Sequence, residues 1–321
     1  MPKISILIPA YNVEKYIARC LESVLGQTFE DIEVIVVNDC STDGTRGVVK
    51  EFISRDPRVK LIDHEENYGV CWARKTLVEA SEGDYLMFVD SDDAIKPTAC
   101  ERLYSEAIKN DADLVVACYE LCFSDGRRVA EANKLDHGND TRGVLMAMLE
   151  DELKRYLWAK LYARRLFVDN PPEYLKHFNL CEDEIISFTA ALNVQKAVCI
   201  PDVVYEYYQF GKSLTHNTNL KLFGNMMRAR AVVKDVCFSV DEELGKMAEV
   251  YALKGIHFHI KAGKDRKEVL EIARKNGFSG LLSFHSLVSH LGLRKGITYF
   301  LVMRFSFVSR LLYGKQWEVT K

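Results

Sequence analysis

Four short apolar runs in the first 90 residues, each followed by polar residues and a helix-period segment, constrain this chain more than any other feature. They are ISILIP from Ile4, IEVIVVND from Ile32, VKLIDHEENYG from Val59 and DYLMFV from Asp84. Continuous β-branched runs, rather than alternating ones, mark strands buried on both faces. Between them, Asn12 is placed to cap a helix from about Val13 to Leu25, with Tyr16, Ile17, Cys20, Leu21 and Val24 at helical spacing. STDGT is turn and cap chemistry ahead of a helix to about Arg55, and a third helix spans about Val70 to Ser81. Strand alternating with helix four times predicts an α/β fold with a mostly parallel sheet. Ligands of such sheets bind at the carboxyl ends of the strands. Asp39, Asn67 and Asp90 all fall at or just beyond those ends.

After Pro97 the pattern predicts a helix to about Asn110, then a strand in ADLVVACYELCF. Residues 141–170 read as helical, as do residues from about Glu184 to Asn193, and AVCIPDVVYEYYQF (197–210) reads as a strand interrupted by Pro201. From about Leu220 onward the expectation is helix throughout. The chain thus divides into an α/β region, 1–219, and a helical C-terminal region, 220–321.

The formal net charge is −3, which gives no ground for expecting nucleic acid as a partner. The total conceals an asymmetry. Residues 254–321 carry thirteen Lys/Arg against four Asp/Glu, a local +9 that leaves −12 for the rest. Nine cysteines without a CxxC pair read as reduced thiols, which points to a cytoplasmic chain. Met1-Pro2-Lys3 leads straight into a strand-like run, so no leader is expected, and no apolar stretch reaches the roughly 18–20 residues of a membrane span.

The fourth strand ends in Asp90-Ser91-Asp92-Asp93. Alternation along an extended segment places the carboxylates of Asp90 and Asp92 on one side. Two such acids suit a hard divalent cation, which would offset their repulsion. A solvated turn in which Asp93 caps the next helix accounts for the same residues, and the triplet alone does not choose.

The stretches ISILIPAYNVEKYIARCLESVLGQT, EVIVVNDCSTDGT and ENYGVCWARKTLVEASEGDYLMFVDSDD resemble, in order and spacing, the inverting family 2 glycosyltransferases of GT-A fold. WAKLYARRLF (158–167), CEDEIISF (181–188) and YEYYQFGKSLT (205–215) resemble members that build bacterial surface polysaccharides. The likeness fades after about Asn219. It implies a nucleotide-sugar-binding half, 1–97, and an acceptor-binding half, 98–219. It further implies that Pro9, Ala10, Tyr11 and Glu14 line the nucleotide pocket and that Asp39 meets the base, typically uracil. NYGVCWAR supplies the family's Asn67, Gly69 and Arg74, with Arg74 bracing the acidic site. Asp90 and Ser91 would lie by the ribose and metal, and Asp92 would bind Mn²⁺ or Mg²⁺. Asp183 would be the base that deprotonates the acceptor hydroxyl, with Glu182 supporting it or touching the acceptor. Trp158 and Lys160 would stand near the acceptor, Lys212, Ser213 and Thr215 on the diphosphate, and His216 on the metal. The expected reaction moves a sugar from a nucleotide-diphospho-sugar, a UDP-sugar above all, to a glycan or polyprenyl-diphosphate-linked acceptor. The QxxRW element of processive synthases is absent, which favours one transfer per encounter.

Two other classes compete. A nucleotidyltransferase also uses an α/β nucleotide domain with carboxylate-bound metal, but IPAYNVEKY is not its Gly-rich loop. An inactive sugar-nucleotide-binding protein would have no need of Asp90, Asp92 and Asp183 together. Residues 280–315 mix bulky apolar side chains with Arg and Lys and contain no acid. They read as an amphipathic helix on the anionic inner face of the cytoplasmic membrane. Packing on the catalytic region or in a homodimer interface is the other arrangement they allow.

Overall fold

The apolar runs become the centre of a sheet. The structure is a computed structural model and describes residues 2–169, 171–178, 180–209, 219–262 and 264–304. β1 (Ile4–Ala10), α1 (Ile17–Leu25), β2 (Ile32–Asn38), α2 (Thr45–Arg55), β3 (Val59–Asp63), α3 (Val70–Ala80) and β4 (Tyr85–Phe88) alternate as the sequence predicts. β1 pairs in parallel with β2 and β4, and β2 with β3. Every residue of β1 and β2 is buried, as strands covered on both faces must be. The chain steps outward from β1 through β2 to β3, then returns to the other side of β1 with β4. The loops after β1 and β4 therefore flank a crevice at the carboxyl ends of the strands, where such sheets bind ligands.

The next elements are β5 (Ala94–Ile95), α4 (Ala99–Asn110), β6 (Leu114–Phe123), β7 (Arg128–Glu131), α5 (Thr141–Leu149), β8 (Lys160–Ala163), α6 (Arg165–Val168), α7 (Glu182–Ala191) and β9 (Ala197–Gln209). β8 lies antiparallel between β4 and β6 and joins both halves into one nine-stranded sheet. The continuous helix expected over 141–170 is thus replaced by two helices around a strand. Leu161 and Tyr162 are buried opposite Val115 and Leu114, and that long-range pairing decides a segment whose periodicity is ambiguous. Pro201 falls where the β6–β9 register jumps from Cys199 to Val203, so its missing N–H costs the ladder nothing.

Two expected helix caps are also corrected. α1 starts at Ile17, and Asn12 adopts a left-handed conformation (φ 53°) ahead of it. α4 starts after Thr98, five residues beyond Asp93, which has a different role described below.

The described residues from 219 onward form a second compact unit of helices: α8 (Leu220–Val240), α9 (Glu242–Lys261), α10 (Arg266–Lys275) and α11 (Phe284–Arg304). Asn219, Asp241 and Asp265 cap α8, α9 and α10 by accepting from the backbone N–H of Lys221, Leu244 and Glu268. Phe223, Met227, Ile256, Phe278 and Leu287 form its core. α11 kinks at Gly292, whose φ of 74° and ψ of 165° no helix accommodates. Among the described residues no helix is long and apolar enough to cross a membrane. Residues 305–315 of the expected amphipathic segment lie outside the described residues.

Candidate active site

Asp39 leaves the end of β2 and is almost wholly buried. Its Oδ1 meets His64 Nδ1 at 2.7 Å and accepts the Tyr68 N–H at 3.0 Å, while Oδ2 accepts the Gly69 N–H at 2.8 Å. Asn67 Nδ2 donates to the Asp39 carbonyl at 3.3 Å. Gly69 holds φ 89°, which brings two successive N–H groups onto one carboxylate and then starts α3. A carboxylate offers about four lone-pair sites, so this loop leaves roughly one of them, on Oδ2, for a ligand. His64, which sequence reasoning missed, bridges Asp39 to Thr76 Oγ1 at 2.9 Å. Its only signal was a polar residue directly after β3.

The loop after β1 is fastened to the STDGT turn. Asn12 Oδ1 accepts the Thr42 N–H at 2.8 Å, the Val13 N–H donates to Thr45 Oγ1 at 2.8 Å, and Glu14 Oε2 accepts the Gly44 N–H at 2.9 Å. Pro9 and Ala10 are buried at the end of β1, whereas Tyr11, the next residue, is 48% exposed.

Across the crevice, β4 delivers Asp90, Ser91, Asp92 and Asp93. Asp93 is fully buried and accepts from Tyr205 Oη at 2.7 Å and from the Tyr208 N–H at 2.8 Å. Tyr205 Oη in turn accepts the Asp90 N–H at 3.1 Å. Arg19, also missed from sequence, donates to the Asp92 carbonyl and lies 3.6 Å from the centroid of the Tyr208 ring. The backbone of Asp90 and Asp92 is thus held from β9 and α1 at the carboxyl end of β4. Burial, with the charge of Asp90 adding, pushes the Asp92 carboxyl up to about 6. Tyr205→Phe is expected to cost about 1–3 kcal/mol, because it takes a partner from a buried carboxyl group. A chemical denaturation curve checks it, and an unchanged midpoint would refute the role given to Tyr205.

One buried cation organises the acids. Arg74, its side chain 3% exposed on α3, donates through Nη1 to Glu182 Oε1 at 2.7 Å and also to Asp183, and through Nη2 to Asp90 Oδ1 at 3.2 Å. Asp183 and Glu182 come from the first turn of α7, so Arg74 ties the acid after β4 to the acid pair of the other half. The Asp183 side chain keeps 21% exposure and that of Asp90 30%. Burial pushes the Asp183 carboxyl upward against the pull of Arg74, and Glu182 and Asp90 add to the rise.

The sequence pattern described as Glycosyl transferase family 2 matches residues 5–167, just over half of the chain. The chain belongs to this family. Two Bacillus subtilis (strain 168) relatives are EpsH, 31% identical over 69% of this chain, and the uncharacterized glycosyltransferase EpsJ, 32% identical over 67%. The matched regions span 65% and 63% of those two proteins. Residues 1–349 of S. aureus TarS, crystallised with UDP, match with a TM-score of 0.64 at 18% identity, covering 99% of this chain and 93% of that one. The fold is accordingly GT-A.

Within this glycosyltransferase framework the remaining expected residues divide. Trp158 is buried and stacks on Tyr156 (4.6 Å, 11°) and on Tyr205 (4.6 Å, 9°), so both of its faces are taken. It props Tyr205, and through it Asp90. Lys160 is buried and donates to the carbonyls of Lys154, at 2.9 Å, and Tyr156, closing the turn that carries Trp158. Burial pulls its ammonium down to about 7. Lys212, Ser213, Thr215 and His216 lie outside the described residues.

Proposed function

We propose that this family 2 glycosyltransferase moves a sugar from a UDP-sugar to a glycan or lipid-linked glycan hydroxyl by direct displacement, with inversion. The observation that carries the reading is the Arg74 hub. It sets Asp183 beside Asp90, which follows β4, on the sheet edge where Tyr11 and the Asp39 loop follow β1 and β2. Tyr11 and that loop receive the base, and Asp39 has about one lone pair left for a base N–H. The TarS structure that shares this fold was crystallised with UDP, which supports uracil as the base.

Asp90 and Asp92 fit a divalent cation. Both are oxygen donors at the carboxyl end of β4, and burial, with the charge of Asp90 adding, raises the Asp92 carboxyl, a cost that a bound cation would offset. Mn²⁺ or Mg²⁺ held there would stabilise the diphosphate as its bond to the sugar breaks. Asp183 accepts the proton of the acceptor hydroxyl, which then attacks the anomeric carbon from the face opposite the diphosphate. Arg74 holds Asp183 in place through Oδ1. The acceptor chemistry and a place on the cytoplasmic face of the membrane remain part of this proposal.

The test is turnover and binding across UDP-, GDP- and dTDP-sugars, with Mn²⁺ and with chelator, at pH 7 and pH 5. Turnover is expected with a UDP-sugar and Mn²⁺ only. Protons compete for Asp92, so a carboxyl titrating near 6 weakens Mn²⁺ activation as pH falls, by about tenfold from pH 7 to pH 5. Absence of turnover and binding with every donor would remove the enzyme reading, and chelator-resistant turnover would remove the metal.

A further inference from the structure

A second set of metal-ligating side chains lies away from the crevice. His137 comes from the connection between β7 and α5, Glu150 follows the last turn of α5, and Glu152 lies two residues on. His137 Nε2 stands 3.0 Å from Glu150 Oε2 and 3.2 Å from Glu152 Oε2, and the three ligand atoms all lie within 4.8 Å of one another. Both backbone segments are fixed. The Lys134 N–H donates to the Glu152 carbonyl at 3.1 Å, and the Glu152 N–H to the Ala147 carbonyl at 3.0 Å. Asn133 donates to the Ala117 carbonyl at 2.8 Å and accepts the Lys154 N–H at 2.9 Å.

Short as these distances are, His137 Nε2 and Glu152 Oε2 are buried atoms that make no hydrogen bond. A ring N–H that donated to a carboxylate would point along the line to it. Nε2 hydrogen-bonds neither carboxylate, although both stand within 3.2 Å of it. Ligands about 2.1 Å from a shared ion, at roughly 90–110° to one another, are about 3.0–3.4 Å apart, the spacing of these contacts. Imidazole selects against Mg²⁺ and Ca²⁺, and two carboxylates select against soft ions such as Cu⁺.

We propose that His137, Glu150 and Glu152 bind Zn²⁺, with water completing its coordination. None of the three belongs to the transfer site. The ion would clip the β7–α5 connection to the turn that leads into Tyr156 and Trp158, and would neutralise two carboxylates brought within reach of each other.

The test uses the full chain carrying Asp92→Asn, so that the cation site of the crevice does not contribute. Zn²⁺ is titrated by calorimetry, and bound zinc is counted by elemental analysis after dialysis. One zinc per chain is expected in Asp92→Asn, with a rise in Tm on its addition. His137→Gln or Glu152→Gln added to that background should weaken binding by about 100-fold or more, since even outer-sphere changes cost 10–100-fold. Glu150→Gln, at the most exposed ligand, serves if either variant fails to fold. Zinc binding that survives these substitutions, or its absence from Asp92→Asn, overturns the proposal.

Discussion

Asp183→Asn is expected to lower kcat by about 10²–10⁴-fold, the usual share of a positioned general base. UDP binding and Tm should change little, since Arg74 keeps Glu182 and Asp90 as partners and the amide fills the same space. The paired measurements are kcat from UDP release and the UDP Kd from calorimetry. The pH profile adds an independent readout. The base must be deprotonated, so kcat/KM rises with pH through its ionisation. Burial pushes Asp183 above the ordinary 3.8, so this acid limb should lie above that of an exposed carboxylate. It should vanish from the residual activity of Asp183→Asn. A loss of only a few-fold, or an unchanged limb, would transfer the role to another acid, with Glu182 the nearest.

The first half of this fold is legible in sequence for a physical reason. Strands buried on both faces must be apolar without interruption, and the helices between them make their pairing parallel. The acids at the strand ends stand out because a buried run stops in charge. What the sequence leaves hidden depends on pairing at long range. β8 is four residues whose pattern suits a helix as well, and only its place between β4 and β6 makes it a strand. Asp93 illustrates the same limit inside the site. Its spacing to α4 suggests a cap, yet its partners are Tyr205 and Tyr208, more than a hundred residues away. His64 and Arg19 likewise carry little local signal, since each works by reaching a neighbouring element.

Trp158 is a motif residue whose contacts here are with the fold. An indole with both faces covered contributes stiffness, and here that stiffness passes through Tyr205 to the backbone of Asp90. Lys160 acts similarly on the turn before β8. The motif residues therefore fall into a crevice set, with Asp90, Asp92 and Asp183, and a supporting set behind it.

Arg74→Met is expected to destabilise the protein by about 3–5 kcal/mol, the cost of removing one member of a buried ion cluster. The guanidinium forks to Asp90, Glu182 and Asp183 at once, and none of the three can turn fully to water. Without it their mutual repulsion and burial oppose the charged forms, a cost that is present at neutral pH and eases once acid protonates them. Such groups weaken the fold when pH is above their folded values and cease to do so below their unfolded values. The Tm deficit of Arg74→Met relative to the parent should therefore be largest near pH 8 and shrink toward pH 4. Arg74→Lys should recover part of the stability, because a cation returns, but little of the activity, because an ammonium lacks the planar fork that aligns Asp183 against Asp90. Thermal melts of the three proteins across pH, beside their kcat values, separate the two roles. A deficit that stays the same across pH would mean that Arg74 works through packing instead of charge.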